Sequence, residues 1–105
     1  MSAGEQGAQR CAMVTGVSRG IGRAVALRLA ADGYHVAGCY ARDGEAADKT
    51  RTEVEAFGVR THVAACDVRD VEAVEAFVRD AEAALVPVTA LVNCAGIVRD
   101  RSTLL

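Results

Sequence analysis

The densest chemistry in the sequence sits at Thr15-Gly16-Val17-Ser18-Arg19-Gly20-Ile21-Gly22. Glycine at 16 lets the chain turn tightly, glycine at 20 lets bare backbone approach a ligand, and glycine at 22 lets a helix pack closely on a strand. The run follows an apolar segment and opens a helical one. A helix that starts there presents free N–H groups and a positive partial charge, a ready site for phosphate. In a strand–loop–helix setting such a run indicates dinucleotide binding and not a mere connection. The expected contact set on the loop is Gly16, Ser18, Arg19, Gly20, Ile21 and Gly22.

The choice of dinucleotide is read at the end of the second apolar run, where the sequence has Tyr40-Ala41-Arg42. A site for NADH places an Asp or Glu about 20 residues beyond the glycine loop, to accept hydrogen bonds from the ribose 2′-hydroxyl. A carboxylate there would repel a 2′-phosphate, whereas Arg42 can form a charge-assisted bond to it. Arg19 can approach from the other side. NADPH is therefore expected over NADH, with Tyr40 and Arg42 in the contact set. The alternative is that Arg42 is a solvated loop residue and Asp43 takes the ribose.

These residues need elements to hold them, and the apolar pattern supplies two kinds. Short runs suited to strands are Cys11–Thr15, His35–Tyr40, 61–66 and 90–93. Helical spacing appears at Ile21, Val25, Leu29 and Ala30, ending at Gly33. It recurs over about 44–57, with Ala47, Val54 and Phe57 inward and Gly58 as the stop. A third helix follows Asp70, with Val71, Val74, Phe77, Val78, Ala81 and Leu85 before Pro87. Strands alternating with helices of this length indicate βαβ units and a parallel sheet. The nearly continuous apolar runs suit a sheet covered on both faces, and right-handed crossovers give the opening of a doubly wound fold with strand order 3-2-1-4. The outer edge of the fourth strand would be left unpaired, an aggregation liability.

Two features of the glycine loop set it apart from the common G-x-G-x-x-G. The spacing G-x-x-x-G-x-G, preceded by Thr15 and with Ile21 between the last two glycines, resembles the T-G-x-x-x-G-I-G fingerprint of the short-chain dehydrogenase/reductase family. Leu91-Val92-Asn93-Cys94-Ala95-Gly96 resembles that family's N-N-A-G motif, with Cys94 in place of the second asparagine. The resemblance implies that Asn93, Ala95 and Gly96 steady the central sheet and border the cofactor. Asp67-Val68, after the third strand, is similar to the family pair that places an aspartate near adenine. The stretch Ala95-Gly96-Ile97-Val98-Arg99-Asp100 and Tyr40-Ala41-Arg42 resemble the branch of the family that reduces 3-oxoacyl thioesters. Together these motifs run from Cys11 almost to the last residue. They imply a Rossmann-like α/β half-domain over 11–105, behind a tail at 1–10.

The family's reaction needs a tyrosine as proton donor, a lysine four residues later to lower its pKa, and a serine on the carbonyl. No Tyr-x-x-x-Lys occurs among the 105 residues: Tyr34 is followed at that distance by Gly38 and Tyr40 by Gly44. Lys49, the only lysine, has Glu45 four residues before it. No residue here is therefore expected to be catalytic. The resemblance implies the cofactor-binding N-terminal portion of an NADPH-dependent reductase, truncated and inactive alone. The alternatives are a half-subunit completed by a separate chain and a non-catalytic NADPH-binding module.

Composition narrows the remaining classes. A net charge of −2 argues against non-specific nucleic-acid binding. Residues 1–9 carry no basic segment leading into an apolar one, and no stretch has the length of a transmembrane helix, so the expected location is the cytoplasm. Cys11, Cys39, Cys66 and Cys94 lie a βα period apart without any C-x-x-C pair, and read as small strand residues with no metal. The partners implied are a nicotinamide dinucleotide and, as alternatives, a complementary C-terminal half or a homo-oligomer, with neither nucleic acid nor membrane.

Overall fold

The computed structural model describes residues 10–94. Strands and helices alternate along it: β1 (Cys11–Thr15), α1 (Gly20–Ala31), β2 (His35–Tyr40), α2 (Gly44–Glu55), β3 (Thr61–Ala65), α3 (Val71–Ala84) and β4 (Val88–Asn93). The strands form one sheet in the order β3-β2-β1-β4, every pairing parallel, as the alternation predicts. β1 lies inside the sheet, and all five of its residues are buried.

The two faces of the sheet carry separate cores, which makes the fold doubly wound. One core joins Val14, Val36 and Val17 to Ala26 and Ala30 of α1, Val54 of α2, and Val59. The other joins Cys11, Met13, Ala37 and Cys39 to Phe77 and Ala81 of α3. Alternate residues of β1 thus serve opposite cores, which is why its run is apolar without a break. α1 ends because Gly33 adopts φ 91° and donates to Ala30 O at 2.9 Å, while Tyr34 N–H reaches Leu29 O at 3.0 Å. This pair of bonds satisfies carbonyls that a longer helix would have paired.

Three expectations need correction. Phe57 does not point inward: α2 stops at Glu55, the chain turns at Gly58 (φ 90°), and Phe57 is 51% exposed while Val59 fills the core. Ile21 and Val71, counted with the apolar stripes of their helices, are exposed, each in the first turn of its helix. β4 begins at Val88, not at 90. A register shift between Cys11 and Ala12 lets Val88 pair with Cys11 and Ala90 with Ala12. Along β4, Val88, Ala90 and Val92 are half-buried and Leu91 faces outward, 64% exposed.

Candidate functional site

The glycine loop leaves β1 at the carboxyl end of the sheet and is clamped there by β2. Gly16 and Val17 both donate to Cys39 O, at 2.8 and 3.1 Å. Gly16 and Gly20 take φ values of 74° and 67°, in the left-handed region where a side chain is strained. Gly22 packs its bare Cα against the loop: a Cβ there would lie 1.8 Å from Gly16 O. At Gly20, by contrast, an added Cβ would meet nothing within 4 Å, so this backbone faces open space.

What the loop delivers is the amino end of α1, and that end is unlike those of the other two helices. Asp43 caps α2 on Ala46 N–H at 3.1 Å, and Asp70 caps α3 on Ala73 N–H at 3.2 Å, with Glu45 and Glu72 in the first turns. Arg19, in the cap position before α1, makes no side-chain cap, and the first turn carries no acidic residue. Its first N–H groups and the positive end of its dipole are left for an anion.

The loop after β2 adds charge. Tyr40 ends the strand half-buried, its hydroxyl 3.3 Å from where a Cβ on Gly44 would stand. Arg42 is exposed and takes part in none of the ion pairs among the described residues. Arg19 reaches across from the glycine loop to Asp43, Nη2 to Oδ2 at 3.0 Å. α2 also touches the loop through the buried Thr50, whose hydroxyl donates to Ala46 O at 3.2 Å and lies 3.4 Å from Ser18 O. Arg23 of α1 pairs with Glu53 of α2, and that hydrogen bond holds the Glu53 carboxyl below the usual carboxylate range.

Beyond Arg42 the surface falls into an open depression of about 450 Å³, lined by Ala41, Arg42, Cys66, Asp67, Arg69 and Asp70. Asp67 is held in place there: its Oδ1 accepts from Arg69 N–H at 2.9 Å and Nε at 3.1 Å, and its Oδ2 from Nη2 at 3.0 Å. The bonds from Arg69 hold the Asp67 carboxyl below its ordinary value, so at neutral pH it is an ionised acceptor with lone pairs to spare. Val68 stands next to it, exposed.

On the other side of the loop, Thr15 joins the ends of β1 and β4. Its hydroxyl donates to Asn93 Oδ1 at 2.7 Å and accepts from Cys94 N–H at 2.9 Å. The register places Thr15 opposite Asn93, so two residues 78 apart in sequence meet directly. The main-chain N–H of Cys94 supplies one of the bonds, so the thiol in place of an asparagine does not disturb this bridge. Ala95 and Gly96, expected beside the cofactor, lie outside the described residues.

Two of the thiols, Cys11 and Cys39, offer no nucleophile. Burial pushes Cys11 up to about 11, and burial with the neighbouring Cys66 does the same to Cys39. Both are neutral near pH 7 and inert. Among the described residues no group of His, Cys, Asp and Glu is placed to hold a metal, and no helix is long and apolar enough to cross a membrane.

Gly16, Ser18, Arg19, Gly20, Ile21 and Gly22 therefore gather at one helix end, with Tyr40 and Arg42 beside them. Asp67 and Val68 lie at the next strand end and Asn93 at the opposite flank. Sequence reasoning passed over Arg69 as the clamp on Asp67 and Thr15 as the bridge to Asn93. The threonine had a signal, its fixed place before the glycine loop; Arg69 had none beyond lying two residues from an aspartate.

Known proteins resemble the chain along nearly all of its length. The family model described as short chain dehydrogenase matches residues 10–104. A 3-oxoacyl-acyl-carrier-protein reductase of Staphylococcus aureus (strain Mu50) is 42% identical over 91 residues, which are 87% of this chain and 37% of that protein. A blue fluorescent protein from a metagenomic library, solved in complex with NADPH, superposes with a TM-score of 0.78 and 42% identity, over 84% of this chain and 36% of that one. A short chain dehydrogenase from Mycobacterium paratuberculosis, bound to NAD, superposes with a TM-score of 0.81 and 31% identity, over 86% and 38%. The chain thus spans little more than a third of the length of these relatives.

Proposed function

The chain belongs to the short chain dehydrogenase family, and from that premise we propose that it is the NADP(H)-binding portion of a reductase acting on 3-oxoacyl thioesters. The observation that carries the reading is the amino end of α1, which alone among the three helices lacks both a side-chain cap and an acidic first turn. The backbone that Gly16 and Gly20 leave bare, and that Gly22 holds close to β1, would hold the pyrophosphate. Asp67, at the rim of the depression, would hold the adenine end, and Arg19 and Arg42 would hold the ribose. The two cations at that point favour a 2′-phosphate over a bare hydroxyl.

The bound nicotinamide supplies the hydride; the residues of this chain bind and orient it. Proton donation requires a Tyr-x-x-x-Lys pair that is not among these 105 residues, so turnover draws on groups outside them. The substrate class rests on the 42% identity to the staphylococcal reductase, whose name specifies that reaction.

Calorimetric titration of the full chain with NADPH and NADH tests the reading. Saturable binding of both, with NADPH tighter by about tenfold from one charge-assisted phosphate contact, is expected. Flat titrations with both nucleotides would overturn it.

A further inference from the structure

Thr50 is buried in the middle of α2, 1% exposed, at the point where that helix meets the glycine loop. Its hydroxyl lies 3.2 Å from Ala46 O, one turn back in its own helix, and 3.4 Å from Ser18 O in the loop. Thr52, two residues on, makes the same one-turn bond to Asp48 O at 3.1 Å, but it is exposed and does not reach the loop. Valine has nearly the shape of threonine and no hydroxyl to desolvate. A buried threonine is favoured over it only where the hydroxyl finds partners.

The two loop residues before Ser18 are held by β2. Gly16 and Val17 donate to Cys39 O, and Val17 is buried over Gly38, where a Cβ would stand 2.7 Å from its Cγ1. Thr50 supplies the next link, from α2.

We propose that Thr50 is a positioning residue for the phosphate-binding backbone: by holding Ser18 O toward α2, it aims the Arg19 N–H into the dinucleotide site. The Ser18–Arg19 peptide is trans, so its C=O and N–H point to opposite sides. A carbonyl fixed toward α2 turns the N–H away from that helix and keeps its own negative end from the place a phosphate takes. The Arg19 N–H stands before the first turn of α1, with no carbonyl inside the helix to pair with. A single hydroxyl proton is shared between two carbonyls, so the tether is weak and governs orientation more than stability. This inference rests on the dinucleotide reading above.

The test is Thr50→Val, which removes the hydroxyl and keeps the branched shape, with Thr52→Val as the matched control. In calorimetric titrations of the full chain, NADPH should bind about fivefold weaker to Thr50→Val and equally well to Thr52→Val. Thermal melts of the free Thr50→Val chain should show a midpoint unchanged or raised, since valine leaves no buried hydroxyl to satisfy. Thr50→Ser keeps the hydroxyl and should restore the affinity, whatever its own midpoint. In amide NMR spectra the Arg19 resonance should shift in Thr50→Val and return in Thr50→Ser. Undiminished affinity or a lowered midpoint in Thr50→Val, an equal loss in Thr52→Val, no recovery in Thr50→Ser, or an unmoved Arg19 resonance would each overturn the role of Thr50. An unsubstituted chain that binds no NADPH would instead overturn the cofactor reading, and this inference with it.

Discussion

At the end of β3 the chain turns through Asp67 and Arg69, and Asp70 closes the amino end of α3 on Ala73. At the end of β1 it turns through Gly16 and Gly20, and no side chain closes α1. Both junctions lead from a parallel strand into a helix at the same edge of the sheet. One is finished as a structural joint and the other is left open. An uncapped helix end forgoes about 1 kcal/mol that Asp, Asn or Ser would contribute, and two left-handed residues restrict the loop to glycine. A chain of this size has little stability to spare. Giving it up at one junction while securing the other two marks the open one as the place where something else supplies the missing partner.

The contrast breaks most completely at Gly22. A methyl group there would stand 1.8 Å from Gly16 O and 2.6 Å from Gly16 C, both backbone atoms that cannot swing aside. Gly22→Ala should cost on the order of 3 kcal/mol or more, enough to abolish cooperative unfolding in a small α/β unit. Thermal and urea melts followed by circular dichroism decide it, and an unaltered midpoint would mean that the loop is not packed as described.

A sharper test makes the first junction resemble the third. Arg19→Asn places a capping residue at the start of α1 and removes the guanidinium. The free chain should gain up to about 1 kcal/mol of stability. Affinity for NADP+ should fall about tenfold, because the cap occupies an N–H and one phosphate contact is lost. The opposed signs are the point: weaker binding together with a lower melting temperature would show Arg19 to be a structural residue.

The smallest effect is expected at the joint already closed. Asp70→Ala removes the bond to Ala73 and should cost about 1 kcal/mol, with α3 fraying from its first turn. Amide hydrogen exchange would register the loss at Ala73 and Val74 and leave α1 unchanged. Protection lost equally in α1 would show that the two junctions are not independent.

The strand order, both helical faces of the sheet and the glycine loop were legible because each is written in a local pattern. Alternation of short apolar runs with helical spacing specifies a doubly wound sheet almost regardless of detail. Phe57 was misread because spacing alone carried it into a helix that ends two residues earlier, where Val59 could reach the core instead. Asp43 was legible only as an alternative ligand for ribose. That it also caps α2 and holds Arg19 depends on a left-handed backbone that no pattern of residue types announces.

By itself, then, the sequence determined which segments are strands and helices, their order in the sheet, and the bare glycine backbone between β1 and α1. Those follow from short-range sterics and from the period of apolar residues. Only the tertiary structure decided which polar groups of separate segments face one another. Arg19 meets Asp43, and Thr15 joins Asn93 across the β1–β4 register. Such pairings depend on where separate loops come to rest at one edge of the sheet, and that is a property of packing and not of spacing along the chain.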